Sequence, residues 1–144
     1  FYGSCIAIVQ KDYKRLIAYS SFAHLGLIGA GILTATAQGL QGAMLQMVAH
    51  GINAVGLFLI ADILLRHTGT RDVDKLGGIR SMNGNFAVLF LIVMLGAVAL
   101  PLTSGFPGEF LLINGVFQFS ATAAAFAGLS VILGAVYMLS LIHI

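Results

Sequence analysis

The stretch that decides the fold is LPLTSGFPGEF, Leu100 to Phe110, which interrupts an apolar run from Phe86 to Phe119. It contains both prolines of the chain and its one glutamate, Glu109. An unbroken helix over the whole run would be roughly 50 Å long, whereas the hydrocarbon core of a bilayer is about 30 Å thick. Proline removes a backbone donor and glycine relaxes the backbone, so we predict a break between Leu100 and Gly108. Glu109 then lies at the edge of the break.

Composition indicates the class of protein. Of the 144 residues, 59% are hydrophobic and 8% are charged, and the mean hydropathy is +1.01, which together indicate an integral membrane protein. Long apolar segments between charged clusters are typical of helices, since the strands of an outer-membrane barrel alternate polar and apolar residues. The net charge of +2 comes from loop residues and provides no basic face for nucleic acid. The predicted fold is therefore an all-α bundle in a lipid bilayer.

Five apolar segments are predicted, the first of which is too short to span a bilayer: 1–9, 16–37, 42–65, 86–119 and 121–139. Basic residues lie in two of the four connecting loops: Lys11, Lys14, Arg15, Arg66, Arg71, Lys75 and Arg80. The positive-inside rule places both loops on the cytoplasmic side if each of the last four segments crosses once. We therefore expect about four full transmembrane helices plus one partial helix, with the fourth segment crossing as a discontinuous helix.

The two ends of the chain carry expectations of their own. The sequence starts inside an apolar segment without methionine, basic region or cleavage site, so we expect a fragment, with residues 1–138 forming one membrane domain. The last six residues, 139–144, match the translation of a common sequencing adapter, and we assign no function to His143. Cys5 has no partner for a disulfide, and we expect it to be a small buried residue.

Three ionisable residues lie within the apolar segments. His24 is nine residues past Arg15, roughly 13 Å into the membrane, and His50 is eight residues past Gly42, roughly 12 Å from the other side. An unwound break brings Glu109 back toward the same depth. Such groups are costly in hydrocarbon and usually face the bundle interior along ion or proton paths, and broken helices are where transporters build ion sites. We predict that His24, His50 and Glu109 carry protons.

Each of these residues also has a simpler interpretation. Either histidine can be a core residue hydrogen-bonded to a neighbouring helix, and Glu109 can be an interfacial carboxylate. The two histidines can also ligate a haem from both sides, but that role leaves Glu109 and the break unexplained. The chain contains no zinc-ligand spacing, nucleophile elbow or phosphate-binding loop, so we expect no metal, cofactor or catalytic residue in it.

Polar residues near these three are candidates for support. Asp62 lies one turn before Arg66. It either forms a structural ion pair with Arg66 or acts as a funnel for protons. Gln46 either holds water or makes an interhelical hydrogen bond, and Ser104 either lines a wet path or satisfies freed backbone groups.

Three motifs together resemble a known family. DYKRLIAYSSFAHLG (12–26), QMVAHG (46–51) and LPLTSGFPGEF (100–110) are similar to the antiporter-like subunits of respiratory complex I, and Lys14 enters the supporting set through the first motif. The glutamate at position 109 makes the chain resemble one particular subunit of that family, because the other antiporter-like subunits carry lysine at this position. Pro107 departs from the usual valine.

The resemblance implies a fourteen-helix protein built from two inverted five-helix repeats, of which this chain holds most of the second. It also implies that His24 and His50 belong to a hydrated row of proton carriers and that Glu109 ends this row. The implied partners are the other membrane-arm subunits, and the implied location is the bacterial inner membrane, or the mitochondrial inner membrane if the protein is organellar.

The predicted function is therefore proton translocation coupled to NADH:quinone oxidoreduction, with no redox site in this chain. Two alternatives are a subunit of a sodium/proton antiporter and a membrane subunit of an energy-converting hydrogenase or formate hydrogenlyase. A purely structural membrane scaffold is a further alternative. The identity of the neighbouring reading frames discriminates between the parent complexes.

Overall fold

A computed structural model of the chain describes residues 1–77 and 83–141, and its regular elements are helices. The α-helices are α1 (Tyr2–Ile8), α2 (Tyr13–Leu33), α3 (Ala37–Thr68), α4 (Gly84–Ala97), α5 (Phe106–Phe119) and α6 (Ala121–Ser140). A single 3-10 turn, Val73–Lys75, lies between α3 and α4. The predicted all-α fold is confirmed.

Three helices are long and apolar enough to cross a membrane, namely α2, α3 and α6. Helices α4 and α5 have 14 residues each, or about 21 Å, so neither spans a bilayer alone. Together they form the interrupted fourth segment, as predicted. Helix α1, with seven residues, is the partial one.

The break itself lies slightly upstream of its predicted position. Helix α4 ends at Ala97 and α5 begins at Phe106, so the non-helical stretch is 98–105 rather than 100–108. Pro107 occupies the first turn of α5, where its missing N–H removes no intrahelical hydrogen bond. Pro107 therefore starts the second half-helix. Within the break, Thr103 donates its backbone N–H and its hydroxyl to the carbonyl of Leu100, at 2.9 and 2.7 Å, which limits the number of unpaired polar groups.

The predicted start of the third segment was wrong by five residues. The connection between α2 and α3 is only Thr34–Thr36, and the hydroxyl of Thr36 accepts the backbone N–H of Gly39 as the α3 cap. The stretch between the second and third predicted segments contains Gly39, and glycine is a poor helix former in isolation. Gly39 and Gly42 are nevertheless helical: a Cβ atom at Gly42 would meet the backbone of α5, and one at Gly39 would meet Gly31 and the threonines of the connection.

The two basic loops lie side by side. The backbone N–H of Tyr13 donates to the carbonyl of Arg71 at 3.1 Å, and that of Val73 donates to the carbonyl of Lys11 at 2.8 Å. The buried hydroxyl of Tyr13 also donates to the carbonyl of Ala61 on α3. Both loops are therefore at one end of the bundle, as the charge pattern predicted. Arg80, counted in that pattern, and His143 lie outside the described residues.

Small residues set the closest helix contacts, although not all the glycines do so. A Cβ atom added at Gly42 would lie 2.7 Å from the backbone nitrogen of Leu112 and 3.0 Å from the carbonyl oxygen of Gly108. Around Gly26 there is open space instead. Cys5, expected to be buried, is exposed on α1.

We predict opposite effects for two alanine substitutions. Gly42→Ala forces the backbones of α3 and α5 apart, and we expect it to lower the free energy of unfolding by about 1–3 kcal/mol. Gly26→Ala meets no atom within 4 Å, and we expect it to be neutral or slightly stabilising. Thermal unfolding of the full-length protein in detergent checks both variants. Equal effects would contradict the close packing of α5 on α3.

Candidate functional site

The three residues predicted to carry protons come together from three helices. His24 lies in the middle of α2, His50 in α3 and Glu109 in the first turn of α5. His24 Nε2 lies 3.1 Å from Glu109 Oε1, and the rings of His24 and His50 are stacked with centroids 4.8 Å apart and an interplanar angle of 17°. The three side chains thus form one continuous row, His50–His24–Glu109.

The orientation of the His24 ring is set from its own helix. Its Nδ1 lies 2.9 Å from the backbone carbonyl of Ser20, one turn earlier. A carbonyl accepts only, so Nδ1 carries the hydrogen of this bond. Nε2 is then the nitrogen that gains or loses a proton, and it is the nitrogen that faces Glu109.

The carboxylate of Glu109 lies in a protected place, with a side chain that is 6% exposed. The first turn of α5 places it at a helix N-terminus, where the backbone dipoles favour negative charge. Gln46 from α3 donates Nε2 to the same oxygen, Oε1, at 3.3 Å. Gln46 Oε1 has no partner among the described residues and lies where a side chain on Gly108 would be. The absence of a side chain at Gly108 thus leaves room for Gln46 to reach Glu109, the next residue on α5.

The other predicted supporting residues are not part of this row. Lys14 and Ser104 are exposed, and no side-chain hydrogen bond of either is among the described contacts. Asp62 pairs with Arg66 through Oδ2 and Nε at 2.8 Å, with both side chains largely exposed. Of the four supporting residues, the structure brings only Gln46 to the row. The interhelical hydrogen bond, one of the two roles considered for Gln46, is present.

One residue beside the row was missed by sequence reasoning. The hydroxyl of Tyr137 on α6 donates to the hydroxyl of Ser20 at 3.1 Å, and both residues are buried. Ser20 is also the residue whose carbonyl holds His24. A tyrosine in an apolar segment has the same pattern as a core aromatic residue, so the sequence contains no signal for this contact.

The stacked histidines do not have the geometry of axial haem ligands. Axial ligands direct one nitrogen each at an iron atom between them, whereas these two rings present their faces to each other at 4.8 Å. Among the described residues, no group of three histidine, cysteine or carboxylate side chains is placed to hold a metal ion.

A model of the family described as NADH:quinone oxidoreductase/Mrp antiporter, TM, matches residues 1–134. The chain belongs to this family. The match includes all three residues of the row.

Individual relatives agree with this assignment. The chain is 46% identical over 140 residues to NADH-quinone oxidoreductase subunit M of Rickettsia typhi, covering 97% of the chain and 28% of the relative. It is 40% identical over 139 residues to NADH-quinone oxidoreductase subunit 13 of Thermus thermophilus, covering 96% of the chain and 30% of the relative. The chain thus spans less than a third of the length of these curated relatives.

The fold agrees with a solved structure as well. Respiratory complex I from Thermus thermophilus with bound NADH contains a chain that superposes with a TM-score of 0.94 at 39% sequence identity. The superposition covers 99% of this chain and 30% of that one. The arrangement of helices around the row is therefore that of a complex I membrane chain.

We predict a strong energetic coupling between His24 and Glu109. A buried hydrogen bond to a charged group contributes about 1.5–3 kcal/mol, so a double-mutant cycle with alanine at both positions should give a coupling of about 2 kcal/mol. The exposed pair Asp62 and Arg66, tested in the same way, should give about 0.5 kcal/mol or less. Thermal unfolding measures both cycles. A His24–Glu109 coupling no larger than that of the exposed pair would contradict the contact.

Proposed function

We propose that this chain is part of a proton-translocating membrane subunit of an NADH:quinone oxidoreductase, and that the row His50–His24–Glu109 carries the protons. The contact that carries the proposal is the buried pair of His24 Nε2 and Glu109 Oε1, 3.1 Å apart. A basic and an acidic group at hydrogen-bond distance exchange a proton directly. Buried ionisable groups of this kind in membrane segments are typical of proton relays.

The stack of two histidines supports directional coupling along the row. At an effective dielectric constant of about 20, two positive charges 4.8 Å apart repel each other by about 3.5 kcal/mol. This repulsion disfavours the state in which both rings are cationic. A proton that arrives on His50 therefore favours transfer of the His24 proton to Glu109.

Gln46 has a supporting part in this scheme. Its amide N–H donates to Glu109 Oε1 and so helps to hold the carboxylate in line with His24. The role of Gln46 is to position Glu109, since an amide does not itself exchange a proton at neutral pH.

The parent assembly follows from the same proposal. The partners are the other membrane-arm subunits of complex I and the lipid bilayer, and the location is the bacterial inner membrane, or the mitochondrial inner membrane in an organelle. This chain supplies the proton path and no redox centre, metal or other cofactor. The stacked geometry of His24 and His50 is unlike haem ligation, which argues against a haem between these two rings.

The second candidate function is sodium/proton exchange, because the matching family model also covers Mrp antiporters. The third candidate is a role as a membrane subunit of an energy-converting hydrogenase or formate hydrogenlyase. Dependence of transport on sodium ions favours the antiporter, and transport coupled to quinone reduction favours complex I.

We predict that Glu109→Gln and His50→Ala, each made in the full-length subunit within the assembled complex, slow proton translocation by about tenfold or more. Glutamine preserves the size of the side chain but does not ionise, and alanine removes the second ring of the stack. Loss of a positioned proton-transfer group typically costs a factor of about 100 or more in rate. Acidification of the proteoliposome lumen after addition of NADH to the medium, measured alongside quinone reduction, gives the two rates.

His67→Ala is the matched control, because His67 lies on the same helix as His50 but at its exposed end. We expect this variant to translocate protons at the rate of the parent. Normal translocation in both Glu109→Gln and His50→Ala would refute the proposed row.

A further inference from the structure

The two oxygen atoms of Glu109 have different surroundings. Oε1 lies within hydrogen-bond distance of both His24 and Gln46. Among the described residues, none donates to Oε2. Glu109 also lines a small cavity. A carboxylate that is nine-tenths buried thus has one free oxygen.

A small cavity adjoins this carboxylate. It lies between α2, the end of α4, α5 and α6, and its polar lining comes from His24, Glu109, Ser130 and Tyr137. Its volume, about 10 Å³ as the space open to the centre of a water molecule, is close to the lower limit for holding one water. A buried water also needs two to four polar partners, and this lining provides them.

We propose that this cavity binds one water molecule, which hydrogen-bonds to Glu109 Oε2 and to the hydroxyl oxygen of Tyr137, and that Tyr137 is a positioning residue for it. Tyr137 already donates its proton to Ser20 Oγ at 3.1 Å, so its oxygen is free to accept. A water that donates one hydrogen to Oε2 and the other to Tyr137 satisfies both groups.

The site gives Glu109 a second route for proton exchange. This inference rests on the proposed function, since it concerns the same carboxylate. When Glu109 is protonated at Oε2, its O–H bond breaks as a new O–H bond forms on the water, which leaves a carboxylate and a hydronium ion. The reverse transfer restores the neutral pair. A proton that His24 gives to Oε1 reaches the water when the carboxyl group rotates and brings that O–H to the position of Oε2, from which the exchange proceeds.

The polar groups beyond the water lead away from the histidine stack. Ser130, in the cavity wall, has its hydroxyl 3.0 Å from that of Ser4, a fully buried residue on α1. Tyr137, also in the cavity wall, donates to Ser20 on α2. Through Tyr137, the water therefore connects the carboxylate to the hydroxyl group of Ser20 on α2, and Ser130 offers a further hydroxyl group in the cavity wall.

Two glycines on α6 allow a matched test. A Cβ atom at Gly134, in the cavity wall, would lie 3.6 Å from the Tyr137 hydroxyl oxygen, so Gly134→Ala fits and occupies the space of the water. Gly128→Ala makes the same change in open space on the same helix. Tyr137→Phe removes the acceptor and keeps the ring, and Tyr19→Phe on exposed α2 surface is its control.

Each variant is made in the full-length subunit of the assembled complex and imaged by cryo-electron microscopy at a resolution that shows ordered water. The parent, Gly128→Ala and Tyr19→Phe should show a density peak between Glu109 Oε2 and the position of the Tyr137 hydroxyl. Gly134→Ala should lose the peak, and Tyr137→Phe should lose or weaken it.

In infrared difference spectra, the carboxyl band of protonated Glu109, identified by its loss in Glu109→Gln, should shift in Gly134→Ala and stay in place in Gly128→Ala. Proton translocation should fall by about tenfold in Gly134→Ala, as expected from the loss of one hydrogen bond to a charged group.

The outcomes separate this inference from the proposed function. Absence of the peak in the parent, or its survival in Gly134→Ala, overturns the water site even if Glu109→Gln stops translocation. A peak that depends on Gly134 supports the water site even if Glu109→Gln translocates normally, a result that refutes the proposed function alone. Equal translocation in Gly134→Ala and Gly128→Ala overturns the role of the water in proton exchange.

Discussion

The contact between the carboxylate of Glu109 and the ring of His24 is the interaction on which the rest of the structure depends. A carboxylate inside an apolar bundle is costly unless donors surround it, and Glu109 has His24, Gln46 and a helix N-terminus. The break at 98–105 provides that helix terminus within the membrane domain. Without the break, α4 and α5 would be one helix and Glu109 would lack the N-terminal dipole.

Close packing of α5 against α3 brings Gln46 within hydrogen-bond distance of Glu109. Gly42 on α3 lies against the backbone of α5, and Gly108 on α5 lies against Gln46. A methyl group at either position would push the helices apart and lengthen the hydrogen bond from Gln46 to Glu109. These two glycines act on the site through distance, because a change of a few tenths of an ångström weakens a hydrogen bond that is already 3.3 Å long.

Much of the fold was predictable from local pattern, and the errors have a common cause. Apolar length and loop charge predicted the number of spans, the interrupted helix and the shared side of the two basic loops. The start of α3 was placed five residues late because Gly39, a poor helix former in isolation, lies in the first turn of the helix. Of the three glycines of α2, Gly26 and Gly29 face open space, whereas a Cβ atom at Gly31 would meet Leu112, so small size alone does not indicate which glycine lies at a helix contact.

The sequence by itself determined that Glu109, His24 and His50 are ionisable groups inside apolar helices and that a break precedes the glutamate, because hydropathy and proline act locally. The tertiary structure decided which of these groups touch and which neighbours support them. Lys14, Asp62 and Ser104 lie apart from the row, whereas Tyr137, which no local pattern distinguished, is bonded to Ser20 beside it. Distances between side chains on different helices depend on helix packing, and in this chain that packing follows from where glycines allow two backbones to meet.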